Sequence, residues 1–352
     1  MMRSKLWLLS AILVVCLAEA GTAQEVFERR RGIFETETIT VAMPINPTTK
    51  VVIASTTYLS GDLTITSSES DSLRVVYKKV AKTSSKSEAI DYIDLISVVL
   101  EDHSDNLVVK LRSPNPAPWS GTNNSGRVEA EIFVPLGTEV EISAQIFDVT
   151  VNGPIRGIDI PNSLGRLDIT GITEHLYVVT ANRRISLTDI TGEISATTTN
   201  SSLIAKAITT TDSQARFRND GGDIKINGLI GSINARNSFG RITIEGFEPR
   251  GEISYIRGTS GPVAIEISSM GEGQVVVTNR HEDIDISVPD SLSAFFSLSV
   301  DEDGIIEVNN FSFTPDLVQR SRLSLQSGDG LADIRGSVKG SGNIYVRGRT
   351  DE

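Results

Sequence analysis

The sequence predicts an all-β chain: a β-solenoid (β-helix) of about ten two-strand coils of 18–22 residues, preceded by an N-terminal β-rich segment with one short helix. Two observations predict it, and a third bears on membrane anchoring. Apolar residues recur at a fixed nine-residue spacing from Phe147 onward. The 352 residues include 29 glycines but are only 5% aromatic, a composition that fits a turn-rich β chain better than a large α/β enzyme. No stretch after the N-terminus is apolar for long enough to span a bilayer, which takes ~20 residues.

The chain divides in order. Residues 1–23 read as a signal peptide: Arg3 and Lys5, the apolar run Leu6–Leu17, then Ala18-Glu19-Ala20 and Gly21-Thr22-Ala23 with small residues at −3 and −1 of two cleavage sites. Cleavage is expected after Ala23, with Ala20 as the alternative. The only cysteine, Cys16, would leave with that segment; Leu13-Val14-Val15 before it lacks the small residue a lipidation site needs. The mature chain would then have no disulfide, thiolate metal site or Cys nucleophile. Residues 24–36 read as a linker and 349–352 as a tail.

Residues 37–146 read as a β-rich cap. Thr38–Ala42, Lys50–Ser55, Asp62–Thr66, Leu73–Val80, Val98–Glu101, Leu107–Leu111 and Val128–Val134 alternate as half-buried strands do. Residues 85–97 break this pattern, with Ile90, Ile93 and Ile96 at helical spacing after a serine-rich start that can cap. Ser113–Gly126 is a Pro/Gly/Asn loop, and Val140–Ile146 leads into the repeats.

The solenoid is expected over 147–348. In lines of nine, residues 147–200 place apolar side chains at positions three and five of every line: Val149/Val151, Ile158/Ile160, Leu167/Ile169, Leu176/Val178, Ile185/Leu187 and Ile194/Ala196. Odd lines carry an apolar eighth residue (Ile172, Ile190, then Ile208, Leu229, Phe247). Even lines carry a small one (Ser163, Ala181, Thr199, Ser238). The unit is therefore two strands with unlike corners. First-strand pairs continue as Leu203/Ala205, Ile224/Ile226, Ile242/Ile244, Val263/Ile265, Ile284/Ile286, Ile306/Val308 and Ala332/Ile334. Second-strand pairs continue as Ala215/Phe217, Ile233/Ala235, Ile253/Tyr255, Val275/Val277, Phe296/Leu298, Leu323/Leu325 and Ile344/Val346. One coil cannot bury its apolar face, but stacked coils can, each strand pairing with its equivalents at ~4.8 Å.

The segments GDIKING and GRITIEG, the turn from Phe133 into VPLGTEVEISA (134–144), the closing GSGNIYVRG (340–348) and the insert SEAIDYIDLISVVL give the chain a family likeness. Over roughly residues 37–348 it resembles the bacterial adhesin-like domain family of unknown function. The resemblance implies an exported β-solenoid on or in the bacterial envelope and supplies no catalytic motif.

The residues point to no catalytic, cofactor-binding or metal site. There is no GxSxG, HExxH, Walker loop or dinucleotide fingerprint. Gly328-Asp329-Gly330 and Gly340-Ser341-Gly342 read as corners, with no following helix to bind phosphate. His103, His175 and His281 are scattered and read as surface residues. The corners lack the Gly-Gly-x-Gly-x-Asp lattice of calcium-binding β-rolls; Asn152, Asn182 and Asn200 are expected to bond backbone there. Asp285, Glu307 and Asp333 are expected at one outward position in three successive coils, with Asp283 two residues away, a column in which cation binding competes with simple screening. Lys225 and Arg241 lie near a face that could supply the base of a polysaccharide lyase, but no matching carboxylate group is expected beside them in neighbouring coils.

A net charge of −12 makes bulk attraction of nucleic acid or anionic lipid a poor expectation. The sequence thus points to a secreted or periplasmic, non-catalytic, adhesin-like module that presents a flat face to an envelope, glycan or protein ligand, without a transmembrane anchor. A structural envelope scaffold and a carbohydrate-active β-helix enzyme are the alternatives. Tyr177, Phe295 and Trp119 are the aromatics expected to face outward.

Overall fold

The computed structural model describes residues 24–46, 49–301, 303–310 and 313–350. The expected export segment, Cys16 included, lies outside them.

Alternation of apolar and polar residues builds two parallel ladders. The first runs in space through Ser125–Pro135, Ser60–Ser68, the first halves of Phe147–Ser163 and Leu167–Ala181, Ile185–Thr191, the first halves of Leu203–Asn219 and Ile224–Asn237, Ile242–Pro249, Val263–Ile267 and Ile284–Pro289. The second runs through Asn106–Arg112, Lys50–Ser55, Glu139–Ser143, the second halves of the same long strands with Glu193–Thr199 among them, Ser254–Arg257 and Gly273–Asn279. The repeat positions of 147–248 hold this register, and Ile185, Ile224 and Ile242 are wholly buried. Burying each such aliphatic contributes ~1.5–3 kcal/mol before chain entropy is subtracted. Large and small residues alternate where the stack needs them: Phe217 stands between Ala196 and Ala235 in one inward column.

The corner between the two strands of a coil requires a left-handed residue. Gly171, Asp189, Ala207, Gly228 and Gly246 follow one another there in five successive coils, all with φ between 51° and 76°. Beyond it, Ile155, Ile172, Ile190, Ile208, Leu229, Phe247 and Ile267 form a third inward column. Where each coil begins, backbone meets backbone. A Cβ on Gly222, Gly240 or Gly261 would fall 2.1–2.2 Å from the carbonyl oxygen of Ser201, Gly222 or Gly240.

The far corner is polar and buried. Ser163, Thr180, Thr198, Asn219 and Asn237 are in register, and Asn279 continues the column. Thr198 Oγ1 donates to the Arg183 carbonyl (2.9 Å), Asn219 Nδ2 to Ser201 (2.6 Å), Asn237 Nδ2 to Gly222 (2.8 Å) and Asn279 Nδ2 to Gly261 (3.0 Å). These side chains satisfy carbonyls that the turn leaves unpaired in the interior.

The stacking reaches back before Phe147. Residues 50–68 and 106–143 already lie in both ladders, so the expected boundary at 146/147 falls within continuous pairing. Residues 24–36, expected as a linker, contain the antiparallel hairpin Val26–Arg30/Ile33–Thr36. That hairpin and Ile39–Pro44 pair with Ser72–Lys82, which crosses antiparallel onto Ser125–Pro135. Phe34 and Leu73 are buried, which ties the hairpin to the core. The helix is Lys86–Asp94; Ser85 Oγ accepts from Glu88 N–H at 3.3 Å as its N-cap. It ends earlier than expected because Ser97–Asp102 begins a strand. Ile93 and Ile96 are buried, whereas Ile90 is exposed.

At the C-terminal end the chain departs from sequential stacking. Ala332–Val338 enters the second ladder between Gly273–Asn279 and Ala294–Ser299. Ile344–Arg349 enters the first ladder between Ile284–Pro289 and Ile306–Asn309. Ala332/Ile334 and Ile344/Val346 therefore exchange the ladders expected of them, and Leu323/Leu325 lies on Arg322–Ser327, antiparallel to Ala294–Ser299. The exchange is matched by burial. Ile344 and Val346 are fully buried, while Ile306 and Val308 are only half-buried and take the outer seat.

A one-residue correction applies at 253–256. Ser254 and Ile256 point inward, not Ile253 and Tyr255. Ser254 Oγ accepts the Ile233 N–H at 3.2 Å, so a buried serine holds the position at which the sequence suggested isoleucine.

Candidate functional site

Both ladders project alternate side chains outward in straight columns. On the first ladder the charges are largely paired. Arg166 and Arg184 flank Asp168 at 3.1 and 3.4 Å, and Lys225 Nζ lies 3.7 Å from Glu245. Lys225 thus has a carboxylate in the next coil, contrary to expectation. Asp148, Asp223 and Asp283 each accept a backbone N–H from the strand stacked on them, from Arg166, Arg241 and Asn343 at 2.8–2.9 Å. These carboxylates set register.

The expected acidic column does not form. Asp285 and Glu307 both pair with Tyr345, which stands between them, and Asp333 lies on the other ladder between Gln274 and Phe295. The inserted C-terminal strands separate the three acids. Each of two has its own cation: Asp285 with Arg347 at 3.3 Å and Asp333 with Arg335 at 2.7 Å, a contact that holds the guanidinium above its usual pKa. Among the described residues no group of three His, Cys, Asp or Glu side chains is placed to hold a metal ion.

The other residues singled out are dispersed. His103 lies 3.5 Å from Glu101 and His175 lies 3.9 Å from Asp159, on different coils, and His281 is exposed at a corner. The two glycine pairs form turns, with φ of 55° and 68° at Gly328 and Gly330 and 93° and 137° at Gly340 and Gly342. Asn182 and Asn200 are left-handed and bond each other, Nδ2 of Asn200 donating to Oδ1 of Asn182 at 2.9 Å, where backbone partners were expected. Tyr177 is exposed and Phe295 half-buried, but Trp119 is buried. Its Nε1 donates to the Tyr58 carbonyl at 2.8 Å, and its ring lies 5.2 Å from that of Tyr92, so it fastens the long loop to the helix.

Two concavities flank the stack. One, of about 630 Å³, is lined by Arg29, Glu35, Asp62, Lys78, Glu129 and Glu131 among others. Both of its cations are paired: Glu35 accepts from Lys78 (2.9 Å) and Arg29 (3.4 Å), and Arg29 also reaches Glu129 (3.1 Å). The other, of about 740 Å³, lies between Asp301, Arg322 and Lys339 where the C-terminal strands insert.

The second ladder carries a different surface in its central coils. Arg218, Arg236 and Arg257 are in register and exposed. The adjacent outward column reads Tyr177, Ser195, Arg216, Asn234 and Tyr255. Sequence reasoning missed this face. Placing Ile253 and Tyr255 inward gave Arg257 the inward parity, so the third arginine of the column was hidden.

No helix among the described residues is long and apolar enough to cross a membrane, which says nothing of a β-barrel. The family model described as Toastrack DUF4097 matches residues 49–335. Among solved structures, the chain is similar to an adhesin candidate from Parabacteroides merdae at 10% identity, over 88% of this chain and 95% of that one, with a TM-score of 0.30. It is also similar to an adhesin candidate from Bacteroides fragilis (14%, 88% and 97%, TM-score 0.23) and a lipid-binding candidate from Parabacteroides distasonis (13%, 88% and 96%, TM-score 0.24). No curated protein matches.

Proposed function

The chain belongs to the Toastrack DUF4097 family, and from that premise we propose that it is an exported, non-catalytic, adhesin-like binding module of the bacterial cell envelope. The observation that carries the reading is the pair of continuous ladders, which hold outward side chains in fixed columns over several coils. Such a surface is ordered before a ligand arrives, so little entropy is lost in shaping it. Catalysis asks for a base or nucleophile beside an acid with a pKa moved toward the working pH. The described columns instead carry Ser, Thr, Asn and charges, many of them in ion pairs. Export is supported by the order of basic, apolar and small residues over 1–23 and places the protein in the periplasm or medium.

Two measurements test this. N-terminal sequencing of the stable protein should begin near Gln24; a mature chain that starts at Met1 would remove the compartment. Capture from envelope fractions and glycans by the purified chain should yield a saturable ligand; no capture at any ionic strength would remove the binding role.

A further inference from the structure

Arg218, Arg236 and Arg257 stack directly over one another on three successive coils. Strand spacing puts their backbones ~4.8 Å apart per step. Like charges opposite one another on a sheet repel, and a chain of net charge −12 has many carboxylates with which to relieve that. It does so elsewhere, at Asp168, Glu245, Asp285 and Asp333. In this column Arg218 has Asp220 at 3.7 Å. Among the described residues, Arg236, Arg257 and the neighbouring Arg216 have no ion pair. All four are exposed.

The column beside them supplies different chemistry. Arg216, Asn234 and Tyr255 are in register, and the Arg257 guanidinium lies 5.2 Å from the centre of the Tyr255 ring. Tyr177, 43% exposed, lies farther along the same column, with Asp159 beyond it. A row of guanidiniums offers bidentate hydrogen bonds to carboxylates at regular intervals. The amide of Asn234 can bond hydroxyls, and the tyrosine rings offer apolar faces to sugar C–H groups.

We propose that this face binds a linear acidic polysaccharide, one with a uronate carboxylate on successive sugars, lying along the stack with its acid groups on Arg218, Arg236 and Arg257. The proposal rests on the binding role inferred above and names its ligand class. An extended polymer with a charge on each sugar matches a rigid cationic row whose spacing is set by the β-ladder. Single-stranded nucleic acid fits less well: it calls for stacking aromatics under successive bases, whereas Tyr177 and Tyr255 are separated by Ser195, Arg216 and Asn234. The face also lacks the apolar insertion a membrane surface rewards.

The test is titration calorimetry of the purified chain with polygalacturonate, alginate, neutral dextran and a single-stranded oligonucleotide, at low and at physiological salt. The variants are Arg236→Ser, the triple Arg218→Ser/Arg236→Ser/Arg257→Ser, and Arg250→Ser as a control on another surface. The expected result is saturable, salt-weakened binding of the polyuronates, none of dextran, and at least a tenfold loss in the triple variant but not in the control. Thermal melting reads the fold separately: the unliganded triple variant should melt no lower than the parent, because repulsion is removed. Equal polyuronate binding by parent and triple variant would overturn the proposal, as would tighter binding of the oligonucleotide at equal salt. If the polyuronates do not bind but another envelope ligand is captured equally by parent and triple variant, the arginine row is refuted and the binding role stands. If nothing is captured, both fall.

Discussion

Asn343 donates its backbone N–H to the Asp283 carboxylate at 2.8 Å, across 60 residues of sequence. The same bond joins Arg166 to Asp148 and Arg241 to Asp223, each 18 residues apart. In the regular coils an aspartate receives the next strand in sequence. At the C-terminal end it receives the last strand instead, and Ile305, which sequence order would have placed there, bonds to Asn343 Oδ1 at 3.0 Å.

This seating predicts a cross-linking pattern. Cysteines introduced as Asp285→Cys and Tyr345→Cys occupy adjacent strands in register and should be joined under mild oxidation. Asp285→Cys with Glu307→Cys should not, because two strand steps separate them by ~9–10 Å, beyond the Cα reach of a disulfide. Non-reducing mass spectrometry distinguishes the two. Efficient 285–307 linkage would restore sequential stacking.

The interior columns predict unequal tolerance. Ile224→Asp would bury an unpaired charge among aliphatics and should cost at least about 3 kcal/mol. Its neighbour Lys225 is exposed, and Lys225→Ser should stay within ~0.5 kcal/mol. Urea denaturation of both variants checks this; equal losses would contradict the register.

Ala207 sits at φ 51° in the corner column that Gly171, Gly228 and Gly246 also occupy. A left-handed conformation costs a residue with a Cβ ~1–2 kcal/mol. Ala207→Gly should therefore stabilise the chain by ~0.5–1 kcal/mol after the entropy of a new glycine is subtracted. A lower urea midpoint in this variant would show that the corner is not strained.

The buried asparagine column predicts a larger loss. Asn219→Ala would leave the Ser201 carbonyl without its side-chain donor in the interior, at a cost of ~1–3 kcal/mol. Asn200→Gly keeps the left-handed corner, removes the exposed amide pair with Asn182 and should cost under ~1 kcal/mol. Paired melting curves decide; the reverse order would mean the column is not a structural element.

Lys50 carries a pH dependence. Its hydrogen bond to Glu141, at 2.8 Å, raises its pKa above the usual 10.5; burial opposes this, and the charges of Glu141 and Asp159 add to it. A raised folded-state pKa contributes stability that is fully present below the ordinary lysine value and is lost as pH rises through the folded value. Lys50→Met should flatten the fall in stability above pH 10.5. An identical alkaline fall in both proteins would contradict the pairing.

What the sequence disclosed follows from how each feature is encoded. The coils over 147–248 repeat at 18 or 21 residues with Ile, Leu and Val at fixed positions, so ladders and inward faces could be read directly. The polar column could not: Thr180, Thr198, Asn219 and Asn237 are residue types that usually mark solvent, and only the unpaired carbonyls beside them explain their burial. Ile253 and Tyr255 drew the register one residue off because Ser254 takes an inward seat through a hydrogen bond. The C-terminal exchange is set by competition between distant strands for one edge, which no local pattern records. Both misreadings bear on the candidate surfaces. The first hid Arg257 from the arginine column, and the second created an acidic column that the fold does not contain.

The most direct test of binding without turnover is recovery of the captured ligand. The purified chain is saturated with an envelope ligand, incubated for many hours with and without Ca²⁺, and the ligand is released and weighed by mass spectrometry. Binding to a non-catalytic face predicts quantitative recovery of intact ligand. Sustained release of cleaved product, abolished by substituting one residue such as Asp285, would contradict it.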